Sequence, residues 1–257
     1  MISEFPLFLF TTLVGLAAGG NAANVVCDLV LKRDAGKRGL VFAAVCLVLL
    51  AVSSLAVTAH LHHPERVLNA FSNLSSSLTQ EGIAAMVLGV LFVADVAVRA
   101  KRKTACMPLR VVGAVAALVM VAVMAHAYFT VWGNAAWARV ETLLFFVVCT
   151  LACGFALVAA VFGDVASDKR FAVAGCALQV LSAVAMAAEA AVFASVGFSP
   201  VPFAAGAVLS AVAAAAAAVS AAKPQVAGVS GKVALVACLI GLLVARYAFY
   251  ATGLYVL

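Results

Sequence analysis

The sequence predicts an all-α integral membrane protein: one domain over residues 1–257, a bundle of about eight transmembrane helices, with the N-terminus and the C-terminus extracytoplasmic. Three observations lead there. Hydrophobic residues fill 67% of the 257 positions and charged residues only 10%, whereas a soluble domain carries roughly a quarter charged residues to meet water. Mean hydropathy is +1.21. The apolar residues fall in long, non-alternating runs, which suit helices and exclude a barrel, the other fold that satisfies its backbone in lipid.

The runs follow in order. The first, Phe5–Leu31, has no basic lead-in and no small-residue cleavage site, so it reads as a retained helix. Leu40–Ala59, Gln80–Val98 and Val111–Phe129 come next, then Val140–Phe162, Phe171–Val196, Val201–Ala221 and Lys232–Tyr255. Each approaches or exceeds the roughly 20 residues that a span requires. The seventh is alanine-rich, and with Gly15-x-x-x-Gly19 in the first it reads as a close-packing surface.

Loop charge sets the orientation. Lys32, Arg33, Lys37 and Arg38 lie between runs one and two, and Arg99, Lys101, Arg102, Lys103 and Arg110 lie around the third loop. Lys223 and Lys232 flank the seventh loop, while Arg66 and Arg139 are the sparse basic residues of loops two and four. By the positive-inside rule the odd loops are cytoplasmic. The net charge of +6 is thereby explained without a nucleic-acid partner. The expected location is the inner membrane of a prokaryote.

Polar residues inside such a protein carry the chemistry, because an unpaired ionisable group in lipid is costly. The densest stretch is His60-Leu61-His62-His63-Pro64-Glu65-Arg66, continuing through Asn69 and Asn73 to Gln80 and Glu81, at an outward junction. A histidine there exchanges a proton near neutral pH, and Arg66 and Glu81 add a positive charge and a second acid–base group. That equipment suits a polar, proton-exchanging head group whose tail stays in lipid, such as a quinol; a solvated polar turn is the plainer reading of His62 and His63. Asn21, Asn24 and Asp28 share one face of the first run, where Asp28 either pairs with Lys32 or belongs to a proton path. Glu189 either pairs with a neighbouring helix or touches a ligand. Trp132 and Trp137 read as interfacial anchors. Arg246, with Tyr247 and Tyr250, lies in the outward half of the last run, where it needs a partner or water.

Cofactor sites of the chain's own are not indicated. Of seven cysteines, all but Cys106 fall in apolar runs, and no C-x-x-C cluster exists to hold an iron–sulfur centre. A bis-histidine haem would have to use His60 with His126, since three of the four histidines crowd into four positions.

Four segments resemble the membrane anchor subunit of the dimethyl sulfoxide reductase family. They are Glu4-Phe5-Pro6-Leu7 with Phe10-Thr11; His60-Leu61-x-x-Pro64-Glu65-Arg66 with Asn73-Leu74 and Glu81; Ala127-Tyr128 with Trp137, Thr142 and Phe145-Phe146; and Arg246-Tyr247-Ala248-Phe249-Tyr250. The resemblance implies eight helices and a quinol-oxidising subunit that passes electrons from menaquinol to an iron–sulfur partner, beside a molybdopterin catalytic subunit. The iron–sulfur clusters and molybdopterin cofactor would belong to those partners, with menaquinol and menaquinone as substrate and product here. It implies a quinol-linked His60, with Arg66, Glu81, Arg246, Tyr250 and Tyr128 around the quinol. His62-His63 departs from the family's pattern. Relatives of that family anchor polysulfide and nitrite reductases, and a multi-pass transporter or permease is the alternative from a different class.

Overall fold

The computed structural model describes residues 4–33, 35–60 and 72–255, and every long element in it is a helix. In order these are α1 (Phe5–Val30), α2 (Gly36–His60), α3 (Ser77–Arg102), α4 (Met107–Phe129), α5 (Val140–Val161), the single turn α6 (Gly163–Ala166), α7 (Lys169–Ser195), α8 (Val201–Ala222) and α9 (Ala227–Ala251). Among the described residues, eight of them are long and apolar enough to cross a membrane. The shortest two have 22 residues, about 33 Å at 1.5 Å per residue, which covers a hydrocarbon core of about 30 Å. The chain is a multi-pass, all-α membrane protein.

Helix ends follow local chemistry more than hydropathy. The apolar run of α3 ends at Val98, yet the helix continues through Arg99, Lys101 and Arg102 and stops at Lys103, whose left-handed backbone (φ 62°) closes it. Arg99 is buried against Asp95 one turn back at 3.0 Å, while Lys101 and Arg102 are exposed and extend to water, so the helix outlasts its apolar stretch. Asp168 caps α7 by accepting from the backbone N–H of Arg170 and Phe171. The last helix starts five residues before the expected Lys232, behind the short turn Pro224–Val226. Hydropathy missed that start because Gly228, Ser230 and Gly231 dilute the apolar signal.

The chain divides into two compact units, residues 6–127 and residues 128–257 joined by the first five. In the first, α2 and α3 pack together, with Gly89 facing Leu50. Helices α1 and α4 are joined at their charged ends. Asp28 accepts from Arg110 at 2.5 Å and from Arg33 at 2.8 Å, and Arg33 also donates to Asn24 at 2.9 Å. The expected pairing of Asp28 with Lys32 is therefore replaced by Arg33 and Arg110. Lys32 adopts a left-handed backbone (φ 49°) and is exposed, so the chain turns its neighbour toward Asp28 instead.

In the second unit α5, α7, α8 and α9 form a closed ring of neighbours, α5 against α7 and α9, and α8 against the same two. The registers are antiparallel and regular. Along α5 and α7, Thr142 meets Glu189, Cys149 meets Ser182 and Ala152 meets Gln179. Along α5 and α9, Ala159 meets Gly231 and Cys153 meets Cys238. Glycines set the closest approaches: a Cβ on Gly231 would stand 2.6 Å from the Ala159 carbonyl oxygen, and one on Gly206 would stand 3.0 Å from that of Gly241. Small residues let helices approach this closely where lipid supplies no hydrophobic drive.

Candidate functional site

The second unit holds a buried arginine that its own side chains leave incompletely satisfied. Arg246 of α9 is 0% exposed. Its Nη2 donates to Thr150 Oγ1 at 2.9 Å, and its guanidinium carbon lies 4.8 Å from the centre of the Phe146 ring. Phe146 and Thr150 stand one turn apart on α5, so the guanidinium lies along that helix face. Its Nε and Nη1 have no hydrogen-bond partner, and none of the ion pairs among the described residues includes it. Arginine remains protonated in proteins. The ring face compensates a desolvated cation by only about 2 kcal/mol, against several for burying the charge.

Tyr128 and Tyr250 complete this neighbourhood. Their rings are 5.4 Å apart, and Tyr128 stacks at 4.9 Å on Phe146, the ring over which Arg246 lies. Trp137 lies edge-on to Tyr128 at 5.5 Å and stacks on Phe249 at 4.8 Å. Its indole N–H donates to the Phe249 carbonyl at 3.2 Å and to Thr252 Oγ1 at 3.1 Å. Trp137 is thus a buried fastener of the loop before α5 to the end of α9, and not the lipid anchor expected of it. Trp132 is 73% exposed.

Glu189 of α7 joins the same α5 face one register step outward. It is 0% exposed, its Oε1 accepts from Thr142 Oγ1 at 3.2 Å, and its Oε2 has no partner. Thr142, Phe146 and Thr150 recur every four residues, so one stripe of α5 carries the carboxyl group, the aromatic face and the guanidinium in turn. The expected site residues Arg246, Tyr250 and Tyr128 are brought together here. Thr142, Thr150 and Glu189 are the partners that sequence reading did not assign.

The first unit carries the other expected residues. Glu81 lies in the second turn of α3, is 5% exposed, and its Oε1 has no partner. Gln80 beside it heads an open groove of about 450 Å³ between α3 and α4, whose walls run down Ile83, Val87 and Leu91 on one side and Val112, Val115, Val119 and Val123 on the other. His60 is the last residue of α2; its side chain, and Arg66 with His62 and His63, lie outside the described residues. His126 is exposed. No family model matches the chain, and no curated protein matches it either.

Proposed function

We propose that this chain is the membrane anchor and quinol-oxidising subunit of a molybdenum-containing, dimethyl sulfoxide reductase-like complex. In this reading it takes electrons from menaquinol and passes them to an iron–sulfur subunit. The observation that carries the reading is the buried Arg246, whose Nε and Nη1 have no partner and whose guanidinium lies over Phe146, itself stacked on Tyr128, in the half of the bundle that loop charge assigns to the outside. A quinol has two hydroxyls that become carbonyls on oxidation, and carbonyl oxygens need donors such as a free guanidinium N–H. Two protons leave with the two electrons, so a base of near-neutral pKa at the membrane boundary suits the chemistry. The resemblance gives the base's role to His60, with Arg66 as its accompanying positive charge and Glu81 as a second acid–base group. Electrons leave to a partner, since the chain has no cofactor-binding motif of its own.

The test is to tag the chain, solubilise it gently and identify what accompanies it while following oxidation of a reduced menaquinol analogue. Co-purification of a ferredoxin-like subunit and a molybdenum protein, with turnover abolished in His60→Ala, is the expected result. Unchanged turnover in His60→Ala would remove the catalytic assignment. A chain that purifies alone and is indifferent to quinol points to the alternative, a multi-pass transporter.

A further inference from the structure

Cys153 of α5 and Cys238 of α9 face each other in the interior of the second unit. Their sulfurs are 2.7 Å apart, both residues are at most 2% exposed, and both are free thiols. The register produces this pairing: the close approach of Gly231 to Ala159 draws the two antiparallel helices together, and Cys238 lies two turns beyond Gly231 while Cys153 lies between one and two turns before Ala159. Cysteines used only as small hydrophobes have no need to meet sulfur to sulfur.

We propose that Cys153 and Cys238 are a dithiol that oxidises to a disulfide cross-linking α5 to α9 inside the membrane, with a lipid-soluble quinone as its oxidant. Two S–H bonds break and one S–S bond forms; the two electrons and two protons reduce the quinone to quinol. The choice of oxidant follows from position. Cys153 is fourteenth of the 22 residues of α5 and Cys238 twelfth of the 25 of α9, so both lie near mid-membrane, beyond the reach of glutathione-sized aqueous reagents. The oxidant's class rests on the quinone reading above; the cross-link itself does not. Oxidation would fix the helix interface beside Arg246, and a reduced quinone pool would leave it free.

The experiment uses the full chain in lipid with whatever partners co-purify. The preparation is reduced, freed of reductant, and incubated with a menaquinone analogue or with buffer. It is then quenched in acid, denatured, alkylated with N-ethylmaleimide and analysed by mass spectrometry. Seven cysteines are alkylated in the buffer arm; in the quinone arm five are expected, with a peptide joining Cys153 to Cys238 that disappears on reduction. Cys153→Ala and Cys238→Ala, made separately, should each leave every remaining cysteine alkylated after quinone. Full alkylation of the native chain after quinone, or loss of two thiols at other positions, overturns the proposal. The cross-link forming in a chain with no quinol turnover would leave this inference standing and remove the function proposed above.

Discussion

Thr150 Oγ1 accepts a hydrogen bond from Arg246 Nη2 at 2.9 Å, a contact between α5 and α9 that holds a fully buried guanidinium in place while leaving its Nε and Nη1 without partners. The geometry fixes the cation and keeps part of its donor capacity open.

Replacing Arg246 by lysine tests that openness. Lysine keeps the charge and loses the planar fork that both reaches Thr150 and lies on Phe146. Loss of one charge-assisted hydrogen bond is about 1.5–3 kcal/mol, so quinol-dependent turnover should fall roughly ten- to hundredfold. A chain that elutes as the native one in detergent with undiminished turnover would separate Arg246 from the chemistry.

Gly231→Ala should destabilise the second unit by about 1–3 kcal/mol, the usual cost of an overpacked core. The new Cβ would meet the Ala159 backbone, 2.6 Å from its oxygen and 2.8 Å from its carbon, which cannot rotate away. Gly175→Ala is the control: nothing lies within 4 Å of its Cβ position. Thermal unfolding in one detergent compares the two, and equal melting temperatures would contradict the close approach.

Asp28→Asn in the first unit removes the charge shared by Arg110 and Arg33. Breaking one side of a buried pair costs about 3–5 kcal/mol, because the remaining charge is left uncompensated. Arg110 is the charge left here, since it is 2% exposed and its Nε and Nη2 already lack partners. A melting temperature within a degree or two of the native value would show that the pair contributes little.

Trp137→Phe keeps the stack on Phe249 and deletes the indole donor to the Phe249 carbonyl and Thr252. A loss of about 1 kcal/mol is expected for these hydrogen bonds. Were Trp137 a lipid anchor, the same change would leave unfolding in detergent unaffected.

Asp168→Ala removes the cap of α7, at about 1 kcal/mol. The hydrogen bond from the Arg170 side chain, aided by the backbone N–H groups of Phe171 and Arg170, holds the Asp168 carboxyl below the usual carboxylate range. A depressed pKa means stabilisation present above the unfolded value of about 3.9 and lost as pH falls through the folded one. The difference between native and variant should therefore be constant from about pH 5 upward and narrow in stronger acid. A gap that widens below about pH 4 would reverse the assignment.

Much of the fold was legible because lipid imposes long apolar runs, and every expected run became a helix. Arg246 was recognisable from cost alone: a charge inside the last apolar helix needs an explanation wherever it points. Its surroundings were not. That Thr150 and Phe146 meet Arg246, and that Glu189 meets Thr142, follows only once the registers of α5 against α9 and α7 are known, and no local pattern encodes how far one helix slides along another. The same gap hid the meeting of Cys153 with Cys238 and the reach of Arg110 to Asp28, pairs 85 and 82 residues apart in sequence. Trp137 misled for a related reason. An aromatic residue before a helix suits the lipid boundary, and the return of the chain's end to cover it cannot be read locally.

The two registers of α5 give its length a meaning apart from its composition. Each residue added to a helix turns everything beyond it by about 100° and advances it by 1.5 Å. One alanine inserted after Phe146 would leave Thr142 opposite Glu189 and swing Thr150, Cys149 and Cys153 away from Arg246, Ser182 and Cys238 together. Point changes along α5 would then be felt one contact at a time, whereas a change in residue count disrupts its pairings with both neighbours at once. Helix α5 behaves as a key cut to fixed spacing, more tolerant of altered teeth than of an altered pitch.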